Sequence, residues 1–87
     1  MSQAPATHTI TIENMRFNPE ALSVRRGDRI VWINKDLFPH TATAKAKEFD
    51  SGSIAAEGSW VFVTNEPGEY AYVCTFHPTM AGMITVR

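Results

Sequence analysis

The stretch C-T-F-H-P-T-M, Cys74 to Met80, gathers the only cysteine of an 87-residue chain with one of three histidines and one of four methionines. Each residue alone has an ordinary explanation, since buried cysteines and methionines are common core fillers. Together they are harder to dismiss. Cys74, His77 and Met80 stand at i, i+3 and i+6 between two strand-like segments, and Pro78 disfavours both a regular ladder and a helix interior there. Converging ligand atoms explain such a loop better than packing does. A fourth donor comes from F-P-H-T, where His40 follows Pro39 just after an apolar strand. In a sandwich, loops at the same pole meet, so His40 can join the 74–80 loop. Two imidazoles and a thiolate, with a weak axial thioether, form the set expected of an electron-transfer copper centre. The sulfur ligands suit Cu(I) and imidazole tolerates Cu(II), whereas zinc gains little from methionine.

The remaining candidates look inert. His8 has no ligand-type neighbour and is expected to be solvated and without a role. Asp36 and Glu48 read as solvated loop charges. Met15 and Met83 fit core packing or an exposed rim as well as they fit a position beside the site.

These donors need strands to hold them, and the chain has the two-residue period of half-buried strands. Ile10 and Ile12 alternate with threonines in H-T-I-T-I-E-N, and Leu22 and Val24 alternate with polar residues before an R-G-D turn. R-I-V-W-I-N is apolar on both faces over 30–33, which predicts a central strand covered by an opposing sheet. K-D-L-F-P makes a loop, T-A-T-A a short strand, and the irregular segment 45–58 has room for one helical turn. S-W-V-F-V-T-N is a further strand, and N-E-P-G-E is a turn. In E-Y-A-Y-V-C, Tyr70 and Tyr72 share one face, with Ala71 and Val73 on the other. G-M-I-T-V-R closes the chain. About seven to eight short strands rich in Val, Ile, Thr, Trp and Tyr, with no convincing long helix, predict an all-β, two-sheet Greek-key sandwich. Residues 1–87 read as a single domain, with 1–7 as a loose N-terminal segment.

Composition narrows the function classes. The net charge is −1 and 20% of residues are charged, with no basic stripe to neutralise phosphates, so no nucleic-acid partner is expected. Arg25, Arg26 and Arg29 form the densest positive cluster and read as a solvated edge. One cysteine allows no intrachain disulfide, so stability must come from packing or a bound ligand. No apolar run is long enough for a transmembrane segment. The N-terminal M-S-Q-A-P-A-T-H-T lacks the features of a secretion leader.

W-I-N-K-D-L-F-P-H-T, Y-A-Y-V-C-T-F-H-P-T-M and the closing A-G-M-I-T-V-R together resemble the small blue copper proteins, the cupredoxins of the plastocyanin, amicyanin and pseudoazurin group. The short ligand loop is most similar to that of amicyanin, and the resemblance runs from I-T-I-E-N-M-R-F-N-P-E onward. It implies a cupredoxin-like sandwich with one type 1 copper ion cycling between Cu(I) and Cu(II). His40, Cys74 and His77 would be the equatorial ligands and Met80 the axial one. It further implies a non-enzymatic, monomeric electron carrier working with transient redox partners, periplasmic or otherwise exported. Electrons would pass through His77, within a docking surface of Phe38, Pro39, Phe76, Pro78 and Thr79.

Two departures from the family pattern concern residues just behind the ligands. Thr41 stands where asparagine frequently ties the two ligand loops together, and its hydroxyl can make a related bond while its N–H points at the Cys74 sulfur. Phe76 stands where amicyanin-type loops carry proline, so its N–H is expected to give that sulfur a second hydrogen bond. Such a bond would raise the reduction potential, and Phe76→Pro would then lower it. Pro78 is expected to shape the loop. The competing functions are copper delivery, which favours a more exchangeable site, and copper catalysis, which needs an open coordination position. A purely structural sandwich leaves the four donors unexplained.

Overall fold

The alternation in H-T-I-T-I-E carries directly into three dimensions. In the computed structural model, which describes residues 4–87, β1 spans Thr7–Glu13 with Ile10 and Ile12 fully buried. It is followed by β2 (Arg16–Asn18), β3 (Ala21–Val24), β4 (Arg29–Asn34), β5 (Thr43–Ala44), β6 (Ser59–Val63), β7 (Gly68–Cys74) and β8 (His77–Val86). These make two four-stranded sheets, ordered β2-β1-β4-β6 and β3-β8-β7-β5. The chain is therefore the all-β sandwich that its alternation predicts. Each sheet is mixed, because β1 runs parallel to β4 and β3 parallel to β8 while the other pairs are antiparallel.

The inner faces meet in an aromatic core. Trp32 on β4 is fully buried, with its ring centroid 5.5 Å from both Trp60 and the edge-on ring of Tyr72. Phe49, from the β5–β6 connection, lies 4.7 Å from Phe62 and 5.9 Å from Tyr72. Offset and tilted pairs of this kind add about 0.5–1.5 kcal/mol each beyond their buried area. Tyr72 lies so close to β8 that a Cβ on Gly82 would sit 2.5 Å from its ring, so the sheet can close there only on glycine. Burial pushes the Tyr72 phenol up from its ordinary pKa. The same core continues to one pole, where it includes Cys74 and Met80.

Several sequence expectations need correction. β2 is absent from the sequence reading because its turn is unusual: Asn14 and Met15 both adopt left-handed backbone angles, φ 56 and 60. Asparagine is at home there and methionine is not, yet the turn folds Phe17 back into full burial beside β1. β4 is central, but only its inner face is covered; Val31 and Ile33 are half-buried on the outer face. The T-A-T-A strand shrinks to Thr43–Ala44. Segment 45–58 holds turns and bridges in place of a helical turn. Pro78 is counted within β8 but falls in a break of its ladder, as its missing N–H predicts: the pairing jumps from Val73↔Ala81 to Cys74↔His77, so residues 78–80 form an unpaired bulge where no ladder donor is required.

His8 also departs from expectation. It is half-buried, and its Nε2 lies 3.0 Å from Asp28 Oδ2 at the pole opposite Cys74. Asp28 Oδ1 accepts the Ala6 N–H at 3.0 Å and Oδ2 the Arg25 N–H at 3.1 Å. Within the segment 1–7, residues 1–3 lie outside the described residues, while Ala6 is bonded through both its N–H and its carbonyl. The Ala6 and His8 donors and the Arg25 amide hold the Asp28 carboxyl at about 2, below the usual carboxylate value of 3.8. A carboxyl depressed in the folded state stabilises the fold above its unfolded pKa and loses that effect as it is protonated. The parent is therefore expected to differ in stability from Asp28→Asn at about pH 5, where the carboxylate is ionised in both folded and unfolded states. That difference should shrink as pH falls from 3.8 towards about 2, as read by urea unfolding at each pH.

Candidate metal centre

The first ligand loop is built from Asn34, the last residue of β4. Its side chain is fully buried, and all of its hydrogen-bonding groups are used. Asn34 Nδ2 donates to the Phe38 carbonyl at 2.7 Å and to the Ile54 carbonyl at 2.9 Å, while its Oδ1 accepts the Asp36 N–H at 2.9 Å. K-D-L-F-P is therefore wrapped around one amide. Beyond it, His40 pairs with Ile54 in both directions, N–H to carbonyl at 3.1 Å and 2.7 Å. This fixes the backbone of a residue whose ring is itself fully buried.

Asp36 then fixes the ring. Its Oδ2 lies 2.9 Å from His40 Nε2, and its two oxygens accept the N–H groups of Asn14 and Met15 at 2.8 and 3.0 Å. Burial opposes ionisation of Asp36, but the Met15 and Asn14 amides and the His40 ring outweigh it and hold the carboxyl below its usual range. An ionised carboxylate accepts only, so Nε2 carries the imidazole proton and Nδ1 is left with a lone pair. That Nδ1 lies 3.6 Å from Cys74 Sγ. Carboxylates behind ligating histidines act in this way, setting the tautomer and raising the basicity of the ring.

The second loop starts at Cys74, which is a free, fully buried thiol. The Thr41 N–H donates to its sulfur at 3.3 Å. Thr41 also joins the two loops through its hydroxyl: Oγ1 accepts the Thr75 N–H at 2.8 Å and lies 3.2 Å from Thr75 Oγ1. Thr75 and Phe76 form the tight turn between Cys74 and His77. The expected hydrogen bond from the Phe76 N–H to the Cys74 sulfur is absent from this geometry. Phe76 occupies the tip of the turn, and the amide reaching that sulfur is Thr41's. The predicted rise in potential from Phe76 loses its basis with that bond.

His77 returns on β8 with its ring centroid 5.5 Å from that of His40. Its Nδ1 is buried with no hydrogen-bond partner, although the residue as a whole is half-exposed. One ligand atom each from His40, Cys74 and His77 lie within 4.8 Å of one another. Met80 is buried in the same core cluster as Cys74. An orphaned imidazole nitrogen, a lone pair held towards a thiol and a buried thioether fit a soft or borderline metal ion.

A model of the cupredoxin-like domain matches residues 2–86. The chain belongs to this family. It is 28% identical over 93 residues to amicyanin-alpha of Methylorubrum extorquens, across 100% of this chain and 78% of that protein. It is 29% identical over 83 residues to amicyanin of Paracoccus denitrificans, across 90% of this chain but only 63% of the relative's length. A solved structure of an amicyanin mutant in its Cu(I) form superposes with a TM-score of 0.86 at 27% identity, covering 93% of this chain and 82% of that one.

Of the residues singled out in the sequence, His40, Cys74 and His77 converge, and Met80 is buried in the same core cluster as Cys74. Phe38, Pro39, Phe76, Pro78 and Thr79 are all exposed, with Phe38 60% and Phe76 51% open to solvent. Leu37, 88% exposed, was missed and extends the same apolar rim. Met15 and Met83 are exposed at the surface. The main omission was Asp36, read as a solvated charge; its position four residues before His40 was the available signal. Replacing it tests the role assigned above. Asp36→Ala is expected to weaken Cu(I) binding about 10- to 100-fold in competition with a chelator, because the His40 ring loses the acceptor that holds its proton on Nε2.

Proposed function

We propose that this protein is a one-electron carrier that holds a single copper ion with His40, Cys74, His77 and Met80. The observation that carries the proposal is the convergence of two imidazoles and the only cysteine within 4.8 Å, with Met80 buried in the same core cluster as Cys74. Its similarity to amicyanins, one of them solved in a Cu(I) form, supports the same reading. Bound there, copper supplies a Cu(I)/Cu(II) couple.

The chain's own residues supply rigidity, enclosure and approach. Asn34 and the His40–Ile54 pairing fix the first loop, Asp36 holds the His40 proton on Nε2, and Thr41 locks the second loop against the first. Donors held in this way move little when an ion changes charge. The compromise between soft sulfur and borderline nitrogen suits both oxidation states. Four donors leave no position for a substrate, which favours a carrier over an enzyme.

His77 is the one ligand with an exposed part, so it is the place where electrons enter and leave. Leu37, Phe38, Pro39, Phe76, Pro78 and Thr79 surround that end with exposed, uncharged side chains. A small apolar surface of this kind suits brief docking with low desolvation cost to transient redox partners. A monomeric carrier working in the periplasm or another exported compartment fits this role.

Addition of Cu(II) is expected to produce an intense visible thiolate-to-copper band and a matching EPR signal, both abolished in Cys74→Ala. A colourless parent that hands Cu(I) to a chelator would replace the carrier with a delivery role. The docking surface has its own test. Two copies exchanging electrons through this face would bring residue 76 of each close together, so Phe76→Asp sets like charges opposite each other. Its self-exchange rate at low salt is expected to fall about tenfold or more, with partial recovery as salt is added. The visible band should remain unchanged.

A further inference from the structure

Exposed sheet edges are ordinarily blunted by short length, charge, proline or a bulge, because their unpaired backbone groups are a template for another strand. Three of the four edges here follow that rule. β2 has three residues, starts at Arg16 and runs into Pro19; β3 is flanked by Glu20 and by Arg25-Arg26; β5 has two residues. β6 does not. Its five residues, S-W-V-F-V, include no charge, proline or glycine, and its register with β4 runs without a bulge. We propose that β6 is a self-association surface, pairing antiparallel with β6 of a second copy about a two-fold axis at Val61.

The backbone sets the register. The Asn34 N–H donates to the Gly58 carbonyl and the Thr64 N–H to the Asp28 carbonyl, both at 2.9 Å, while Trp32 faces Trp60 and Ile30 faces Phe62. Hydrogen-bonded pairs alternate along an antiparallel ladder, so Gly58, Trp60, Phe62 and Thr64 turn their backbone groups towards β4. Those of Ser59, Val61 and Val63 point away from it, and no backbone bond from the described residues reaches them there. With the axis at Val61, these three residues exchange both backbone groups with the second copy: Val61 with Val61, and Ser59 with Val63.

The same register suits the side chains, which is why the occupant is a second copy. On the outer face the exposed Val61 meets its own equivalent, with the half-buried Val31 and Ile33 behind it on β4. On the inner face the half-buried Trp60 meets Phe62 of the second copy, extending the stacked Trp60–Phe62 pair within each chain. Aromatic and β-branched partners are favourable across strands. In the flanks Glu57 falls opposite Asn65 and Gly58 opposite Thr64, so no like charges face each other. Because β6 begins beside Ile33, at the His40 end, antiparallel pairing sends the two metal poles to opposite ends and leaves both His77 rims open. A five-residue strand from each copy falls short of the roughly 1,200–2,000 Å² of a stable interface. The pairing is therefore weak, and the dilute protein is the monomer.

β6 carries none of the proposed copper ligands, so failure of this inference would leave the copper reading untouched. Sedimentation equilibrium is expected to show the average mass rising from monomer towards dimer as the concentration approaches about 1 mM. Over the same range, amide exchange at Ser59, Val61 and Val63 should slow, while Trp60 and Phe62, already bonded to β4, should not change. Val61→Lys sets like charges opposite each other at the axis and is expected to weaken the association about tenfold or more, as is Val61→Glu. An equal mixture of the two variants is expected to associate again, which damaged folds could not do. A parent that stays monomeric at the highest concentration would overturn the proposal. So would a mixture no more associated than its components, or association that Val61→Lys leaves intact, which would place the contact on another face.

Discussion

Thr41 is the residue on which the metal pole depends. It meets the Cys74–Thr75 segment 33 and 34 positions later in sequence, giving its N–H to the sulfur and its hydroxyl oxygen to the next amide. Bringing such distant segments together costs loop-closure entropy, and a chain with one cysteine has no disulfide to reduce that cost. Backbone-directed hydrogen bonds therefore do the ordering. They are individually modest, about 0.5–1.5 kcal/mol net, but they are buried, and leaving any one unmade would strand a polar group in the core.

That explains why the support behind the ligands is polar and fully paired while the ligands themselves are not. Asn34 spends both amide hydrogens and its oxygen on three backbone groups. Asp36 divides its oxygens among two amides and the His40 ring. By contrast, His77 Nδ1 is buried without a partner, and the Cys74 sulfur has only a long amide contact and the His40 nitrogen near it. Buried groups without partners are unfavourable in a finished core. His77 Nδ1 is such a group, and it lies where the ligand types converge.

The parts legible in the sequence are those governed by short-range periodicity or by residue chemistry. Alternation revealed most of the strands, and the rarity of Cys, His and Met in one loop revealed the donors. The parts that were not legible depend on partners far away in sequence. Asp36 and His8 looked like loop charge and solvated imidazole because their partners, His40 and Asp28, are defined by three-dimensional proximity. β2 was hidden by a turn with left-handed Met15, and the early start of β8 at His77 was hidden by Pro78, which a bulge accommodates. The Phe76 amide failed as a sulfur donor for a related reason: residue type establishes that an N–H exists, while only the turn establishes where it points.

The two poles divide their work in a way that follows from this support. The two histidine–aspartate pairs among the described residues stand one at each end, and no arginine takes part. Arg25, Arg26 and Arg87 line a cleft of about 650 Å³ at the His8–Asp28 end, far along a molecule 43 Å in its longest dimension. At the other end, Asp36 is turned inward onto His40, and the exposed rim beside His77 is made of leucine, phenylalanine and proline. A carboxylate whose oxygens are held by two amides and a ring N–H keeps its charge turned away from the surface. Fixing the His40 ring with Asp36 thus serves a second end. It allows a buried charge to organise the site while the approach to His77 remains apolar, so that close contact there requires little desolvation.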